Sequence, residues 1–236
     1  PDRRGRSGMS RRVAIVTVSA LILVSLGSAP APAGEPQARK PVPRFVPHRV
    51  GTARHEPCGV GDFNGDGKLD IVSGPILYLA PDWKAVKIRS VDGAVNDKGD
   101  GYYNDFMNAP LDVDGDGLLD VVSCDWFCMC IEWHRNSGGA AGEWEKFLVE
   151  KSGNHECGDL VDIDGDGKAL EILVHVQPTV WWEVGKLPDG KRGLVKHVIS
   201  EKPSEFGGGV GDVNGDGRPD VLRPTAWYEA PADPRS

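Results

Sequence analysis

The 236-residue sequence lacks the motifs on which many soluble enzymes build a nucleotide or nucleophile site. It contains no Gly-rich phosphate loop that opens a helix and no nucleophile elbow. It also lacks a heptad pattern and long amphipathic stretches. The chain contains 31 glycines and shows little helical periodicity, which predicts an all-β fold. Basic residues are not clustered, and acidic residues outnumber them by 35 to 27, which excludes nucleic acid as a partner.

One acidic loop occurs four times along the chain, and its copies begin fifty residues apart. The loops span residues 62–70, 112–120, 162–171 and 212–220. A fixed period of this length predicts a repeat architecture, in which each repeat is one supersecondary unit that stacks on the next.

Side-chain oxygens recur at positions 1, 3, 5 and 9 of these loops, and a backbone carbonyl lies near position 7. Oxygens at this spacing can converge on one hard cation, and the glycines permit the tight turn. In the third loop Leu170 takes position 9 and the carboxylate moves to Glu171, so we expect the weakest binding there. The candidate metal ligands are Asp62, Asn64, Asp66, Asp70, Asp112, Asp114, Asp116, Asp120, Asp162, Asp164, Asp166, Glu171, Asp212, Asn214, Asp216 and Asp220.

An EF-hand is the main alternative for such a loop, and the sequence argues against it. An EF-hand needs a bidentate Glu at position 12 and a helix on each side. Position 12 here is Ser73, Ser123, Leu173 and Arg223 in turn, and the segments around it are short and β-branched, which predicts strands. Metal-free hairpin turns are the other alternative, but clustered carboxylates repel one another strongly without a cation.

The loop sequence followed by a hydrophobic strand resembles the FG-GAP/VCBS repeat, the unit of integrin-α-like β-propellers. The resemblance covers residues from about 44 to 228, and it rests on four copies in register. It implies a β-propeller and calcium at the loops, with the third loop departing from the pattern. It specifies no activity, because the family includes adhesins, scaffolds and propeller domains of carbohydrate-active enzymes.

Each repeat is predicted to form one four-stranded blade, with an inner strand before the acidic loop and three strands after it. Trp and Glu residues on the third strands, among them Glu132, Glu183 and Glu229, are predicted to pack between blades. The segment Phe45–Val50 resembles an outer strand, whereas the last repeat lacks one. In a complete four-bladed ring this N-terminal segment would close the last blade. Four blades is at the small end of the range, so we expect instead that residues 44–236 form the N-terminal part of a larger propeller.

The inner strands carry a second group of polar residues, seven positions before each loop. His55, Asp105, His155 and Glu205 occupy this position, and Glu56 and Glu156 follow the two histidines. Around a central channel, His55, Glu56, His155 and Glu156 would form a site for a second, transition metal or for proton transfer on a sugar. The alternative is a ring of solvated polar residues without a function of its own.

The N-terminal 33 residues are predicted to be an Arg-rich lead and a secretory signal peptide, and residues 34–43 a linker. Charged, apolar and small-residue regions follow one another in that order, and the apolar stretch is short for a membrane span. We expect cleavage after Ala33, a secreted, periplasmic or cell-surface location, and membrane contact only through an uncleaved signal peptide.

Five cysteines leave at least one thiol without an intramolecular partner. We expect them chiefly as small buried side chains, and a zinc site at Cys124, Cys128, Cys130 and His134 is disfavoured by their spacing.

The whole sequence therefore predicts a secreted calcium-binding propeller that binds an extracellular glycan or protein and is not catalytic as it stands. The alternative is a propeller domain of a carbohydrate-active lyase or dehydratase.

Overall fold

The structure is a computed structural model that describes residues 44–52, 54–96, 98, 100–138, 142–174, 178–202 and 207–236. The predicted signal peptide and linker lie outside these residues, as does Glu205. The chain divides into two compact units, Pro1–Pro47 and His48–Ser236, and every strand below belongs to the second. In the described residues no helix is long and apolar enough to cross a bilayer.

Four antiparallel sheets follow one another along the chain, and each pairs its strands in sequence order. The first three sheets have four strands and the fourth has three. Sheet 1 consists of β1 (Gly59–Gly61), β2 (Asp70–Ser73), β3 (Ile76–Leu79) and β4 (Lys84–Lys87). A separate hairpin of β5 (Gly93–Val95) and β6 (Gly101–Tyr103) precedes sheet 2.

Sheet 2 consists of β7 (Ala109–Leu111), β8 (Asp120–Asp125), β9 (Cys130–Arg135) and β10 (Glu145–Lys151). Sheet 3 consists of β11 (Gly158–Val161), β12 (Glu171–Val174), β13 (Thr179–Lys186) and β14 (Arg192–Ser200). Sheet 4 consists of β15 (Gly209–Gly211), β16 (Asp220–Arg223) and β17 (Ala226–Tyr228). In every sheet the acidic loop joins the first strand to the second, so the prediction of strand-to-strand turns is confirmed.

Three buried hydrophobic clusters join successive sheets. The first includes Val72 and Val121, from sheets 1 and 2. Trp182 belongs to the cluster between sheets 2 and 3, whereas the adjacent Trp181 belongs to the cluster between sheets 3 and 4. Neighbouring residues of a strand point to opposite faces of the sheet. These two side chains, each 1% exposed, therefore pack β13 against both neighbouring sheets. The predicted packing of third-strand tryptophans between sheets is confirmed here.

The first strands of three sheets border one cavity of about 390 Å³, which Gly59, Ala109 and Gly158 help to line. Small residues are needed because the strands approach closely. A Cβ atom on Gly59 would overlap the carbonyl oxygen of Asn108, and one on Gly158 would lie 2.6 Å from the sulfur of Met107. These glycines, which precede the acidic loops, therefore allow the first strands of neighbouring sheets to lie close to one another.

Two predicted elements differ from the structure. The segment 44–50 forms no strand, and Phe45 is 92% exposed, so the outer strand expected there is wrong. The inner strands are shorter than predicted, because β1 pairs only with Asp70–Val72 of β2, and the chain turns at Gly74 with φ of 57°. Residues 55–58 thus have no ladder partner.

Replacing Gly59 by Ala is expected to destabilise the fold by about 1–3 kcal/mol, because the added methyl group is forced against the Asn108 carbonyl. Gly209 occupies the matching position of the fourth repeat, and a Cβ there meets no atom within 4 Å. Gly209→Ala is the matched control and should change stability by less than about 0.5 kcal/mol. Urea unfolding of both variants checks this, and equal stabilities would contradict it.

Candidate metal sites

The aspartate at position 1 organises each acidic loop by accepting backbone hydrogen bonds from two glycines. Asp62 accepts the N–H of Gly65 and that of Gly67, both at 2.8 Å. Both glycines have positive φ, 74° and 82°, a region that favours glycine. The same pair of bonds forms at Asp112, Asp162 and Asp212.

Positions 3 and 5 are fixed by short turns that their own side chains close. The amide oxygen of Asn64 accepts the N–H of Asp66 at 2.9 Å, and Asp66 accepts the N–H of Lys68 at 2.9 Å. The other three loops repeat both bonds. The loop backbone thereby determines where the oxygens at positions 1, 3 and 5 lie.

The carboxylate at position 9 is buried and joins its loop to the third strand of the sheet. Asp70 accepts the N–H of Phe63 at 3.2 Å and that of Ala80, just after β3, at 2.8 Å. Burial raises the pKa of the equivalent Asp120 to about 6, despite two backbone donors. Asp220 makes the matching pair of bonds in sheet 4.

The third loop keeps this arrangement with a longer side chain. Glu171 accepts the N–H of Ile163 at 3.0 Å, the bond that Asp70 makes to Phe63, so the extra methylene spans the inserted residue. In the part of the chain that the structure describes, Glu171 accepts no bond from the third strand. Burial, and then the neighbouring loop carboxylates, raise the pKa of Glu171 to about 7.

In two of the loops, carboxylate oxygens from positions 1, 3 and 9 lie within 4.8 Å of one another. These triads are Asp112, Asp114 and Asp120, and Asp162, Asp164 and Glu171. Loops 1 and 4 have an asparagine at position 3 of the same hydrogen-bonded turn. Clustered oxygens of this kind fit a hard divalent cation such as calcium. The structure therefore contains acidic clusters that can hold a metal ion.

Basic side chains already neutralise part of this charge. Lys68, Lys168 and Arg218, at position 7, contact the aspartate at position 5 of their own loops. Loop 2 has Leu118 at that position, and Arg135 of β9 lies 2.5 Å from Asp114 instead. Such exposed ion pairs contribute little stability, so they do not block displacement by a divalent ion.

Strand pairing shows which residues of the third strands occupy equivalent positions. His134, Trp182 and Tyr228 face matching residues of the second strands, so the residues that follow them are equivalent: Arg135, Glu183 and Glu229. Glu229 accepts from Asn214 at 3.1 Å, and Glu183 shares Arg235 with Asp164. Glu132 instead pairs with Lys146 at 3.0 Å. Glu183 and Glu229 therefore border the loops.

The polar residues before the first strands are separated into two environments. The ring of His55 lies 4.3 Å from that of Tyr103, and His155 is fully buried with its Nε2 2.9 Å from the Ser152 hydroxyl. Glu56 and Glu156 are exposed and line one cavity of about 330 Å³. The structure thus brings the two glutamates to one place and packs both imidazoles elsewhere.

Asp105, the member of the predicted ring from the second repeat, is 1% exposed and does not face solvent. Its carboxylate accepts from the guanidinium of Arg89 at 2.8 Å and from the amide of Asn108 at 2.9 Å. Arg89 also donates to the carbonyl of Gly74 and lies 3.1 Å from His134 Nε2. Asp105 is therefore part of a buried polar network between sheets 1 and 2.

The cysteines also differ from one another in setting. Cys128 and Cys130 form a disulfide across the turn between β8 and β9, close to Asp125. Cys124 is a buried free thiol, whereas Cys58 and Cys157 are free and exposed. The expectation of small buried cysteines thus holds for Cys124, while Cys58 and Cys157 are solvent-accessible.

Comparisons with known proteins agree with the loop geometry. Residues 112–174, from the second acidic loop to the end of β12, match the FG-GAP-like repeat family, which confirms the resemblance over that segment. Over 72 residues, 30% of this chain, the sequence is 40% identical to "Probable calcium-binding protein CML31" of Arabidopsis thaliana and covers 43% of it. The matched segments therefore fit a calcium-binding β-rich module.

One similar solved structure is the V. cholerae biofilm matrix protein Bap1. The match has a TM-score of 0.39 and 23% identity over 73% of this chain and 28% of that one. The chain thus spans less than half the length of either relative.

Deleting Ala169 is expected to tighten calcium binding at the third loop by roughly tenfold, or 1.4 kcal/mol, because Glu171 would then occupy position 9. Titration calorimetry with calcium measures this change. Leu170→Ala keeps the loop length and is the matched control, since Leu170 is 46% exposed. Unchanged or weaker binding in a folded deletion variant would contradict the ranking of the sites.

His155 is expected to contribute a loss of stability in acid. Burial lowers the pKa of His155 to about 4, whereas an unfolded histidine has its ordinary pKa of about 6.5. At this residue the unfolded state therefore binds more protons as pH falls from about 6.5 to 4, and the contribution of His155 to stability decreases by roughly 2 kcal/mol between pH 7 and 5. Between pH 7 and 5, the melting temperature of His155→Gln should change in a more favourable direction than that of the wild type, whereas His48→Gln, at an exposed position, should follow the wild type. Equal slopes in all three proteins would rule this out.

Proposed function

We propose that this chain is a calcium-stabilised β-propeller module that acts outside the cytoplasm and binds a glycan or protein partner without catalysis. The observation that carries the calcium assignment is the geometry of loops 2 and 3, in which carboxylates of positions 1, 3 and 9 approach within 4.8 Å. Without a cation this concentration of negative charge destabilises the loops. Bound calcium offsets the repulsion and ties each loop to its sheet.

The propeller assignment is supported by how the sheets pack. Successive sheets contact face to face through buried clusters, and the first strands of three sheets border one cavity. Both features are expected of blades around a central channel. Sheet 4 exposes Leu222 and Trp227 at 37% and 43%, which supports a further blade covering that sheet in the intact propeller.

A non-catalytic role is supported by the positions of the two imidazoles. His155 is fully buried beside Ser152, and His55 packs on Tyr103, and neither imidazole lines the shared cavity of Glu56 and Glu156. A general acid or base has to reach the proton that it transfers. An extracytoplasmic location fits the loops, because extracellular calcium modules bind at millimolar concentrations.

Metal analysis of the purified protein tests this proposal. We expect more than one calcium per chain and no stoichiometric transition metal. Calcium binding that is lost in Asp112→Ala and Asp212→Ala, but retained in the exposed-site control Glu143→Ala, supports the loops as the sites. Stoichiometric zinc or iron would favour the lyase or dehydratase alternative, and absence of calcium binding would overturn the proposal.

A further inference from the structure

A second cavity lies at the opposite ends of the first strands from the acidic loops. Its volume is about 330 Å³, in the range of small-molecule pockets. Glu56 and Glu156 precede β1 and β11, whereas the loops follow these strands. The remaining lining comes from the β5–β6 hairpin, the segment after it and the β8–β9 turn: Tyr102, Phe106, Trp126 and Phe127.

Four of the six lining residues are aromatic, and three of them form a row. Phe106 is buried at its centre, with ring centroids 6.4 Å from Tyr102 and 6.2 Å from Phe127. Tyr102 and Phe127 are 58% and 54% exposed. Exposed aromatic rings grouped around a cavity are typical of binding sites, because a soluble protein gains nothing from leaving that apolar area in water.

The turn that carries Phe127 is built by several local interactions. The carboxylate of Asp125 accepts the N–H of Phe127 at 2.6 Å and that of Cys128 at 3.3 Å. The disulfide between Cys128 and Cys130 closes the same turn. Asn154, just before Glu156, donates to the carbonyl of Trp126 at 2.7 Å and joins the two sides of the cavity. The local bonds therefore fix the turn that carries Trp126 and Phe127.

The charge of the cavity selects the ligand. Its six described lining residues include two carboxylates and no basic side chain. An ammonium group is attracted both by carboxylates and by the faces of aromatic rings. A metal ion is a poor match because aromatic rings offer it no donor atoms, whereas the C–H face of a pyranose ring stacks well on them.

We infer that this cavity binds an amino-sugar residue with a free ammonium group, as part of a cationic glycan. This assignment rests on the proposed glycan-binding function and specifies its ligand. The aromatic row would stack on the sugar rings, and Glu56 and Glu156 would accept hydrogen bonds from the ammonium and hydroxyl groups.

The test compares binding of a glucosamine oligosaccharide with its N-acetylated counterpart, at a mildly acidic pH where the amine is charged. Titration calorimetry on the full chain should show the charged oligosaccharide binding at least roughly tenfold more tightly. Phe127→Ala and the double variant Glu56→Gln/Glu156→Gln should each weaken that binding by roughly tenfold or more. Trp227→Ala and Glu143→Gln, exposed positions outside the cavity, are the matched controls.

Three results would overturn the assignment. Equal affinity for the two oligosaccharides would show that charge does not select the ligand. Full binding by the folded cavity variants would place the site elsewhere. Tighter binding of a lysine peptide, lost in the same variants, would assign the cavity to a protein ligand. Calcium-dependent melting, measured on the same samples, shows separately whether the calcium module itself is intact.

Discussion

Excess chelator is expected to lower the melting temperature of this protein by roughly 10–25 °C, because the calcium that we propose for the loops would bind only their folded form. A site saturated one hundredfold above its Kd contributes about 2.7 kcal/mol of stability, and each kcal/mol corresponds to about 2–4 °C for a domain of this size. The loops also hold the sheets together, since the buried position-9 side chains Asp70 and Asp220 bond both the loop and the chain beyond the third strand. Differential scanning calorimetry with and without added calcium measures the shift.

Asp116→Ala should reproduce part of this loss, about 5–10 °C, because it removes one ligand of one loop and leaves three loops intact. Glu143→Ala removes a carboxylate from an exposed position outside the loops and should leave the calcium-dependent shift unchanged. Magnesium in place of calcium separates specific binding from general screening of charge. A melting curve that does not move in excess chelator would refute the dependence on calcium.

The acidic loops were predictable because their structure is local. Eight glycines at fixed positions adopt positive φ, and the side chains at positions 1, 3 and 5 bond backbone groups within five residues. The position-9 acid begins the second strand, so the period also sets strand register. The displaced Glu171 keeps this arrangement, because its longer side chain reaches the N–H of Ile163, which is equivalent to the N–H that Asp70 accepts in loop 1.

The aromatic cavity could not be predicted from the period, because its rings lie in segments that interrupt the repeats. Tyr102 belongs to a hairpin that, among the described residues, occurs before the second sheet alone, and Phe127 lies in the turn beyond an extended β8. The sequence does contain one indication of this site, because aromatic residues occur in loops, outside the strands that form the core. Placing them together requires the tertiary packing of three separate segments.

The environment of Asp105 also could not be predicted from the repeat period, which placed this residue in a polar ring around the channel. Its position in the repeat matches that of His55, yet it is buried because Arg89, from the end of the preceding sheet, reaches it. Arg135 is a similar case, since it reaches loop 2 from β9. The contacts that such long side chains make with other elements depend on how the sheets pack. The repeat period does not determine these contacts.

Arg89→Met is expected to destabilise the protein by about 3–5 kcal/mol, because it leaves the Asp105 carboxylate buried without its cation. Both side chains are at most 3% exposed, and the pair is 2.8 Å apart. Burial raises the pKa of Asp105 although Arg89 opposes this, so desolvation is large at this site. The guanidinium also holds the Gly74 carbonyl at 2.9 Å, and this bond is lost as well.

Removing both charges should cost less than the sum of the single changes, since neither partner is then left charged and alone. Arg89→Met/Asp105→Asn should therefore regain part of the stability lost in Arg89→Met, as measured by urea unfolding. Lys146→Met is the matched control: it breaks the solvent-exposed pair with Glu132, 3.0 Å apart, and should cost at most about 1 kcal/mol. If Arg89→Met cost no more than Lys146→Met, the buried polar network would not contribute to the stability of the contact between sheets 1 and 2.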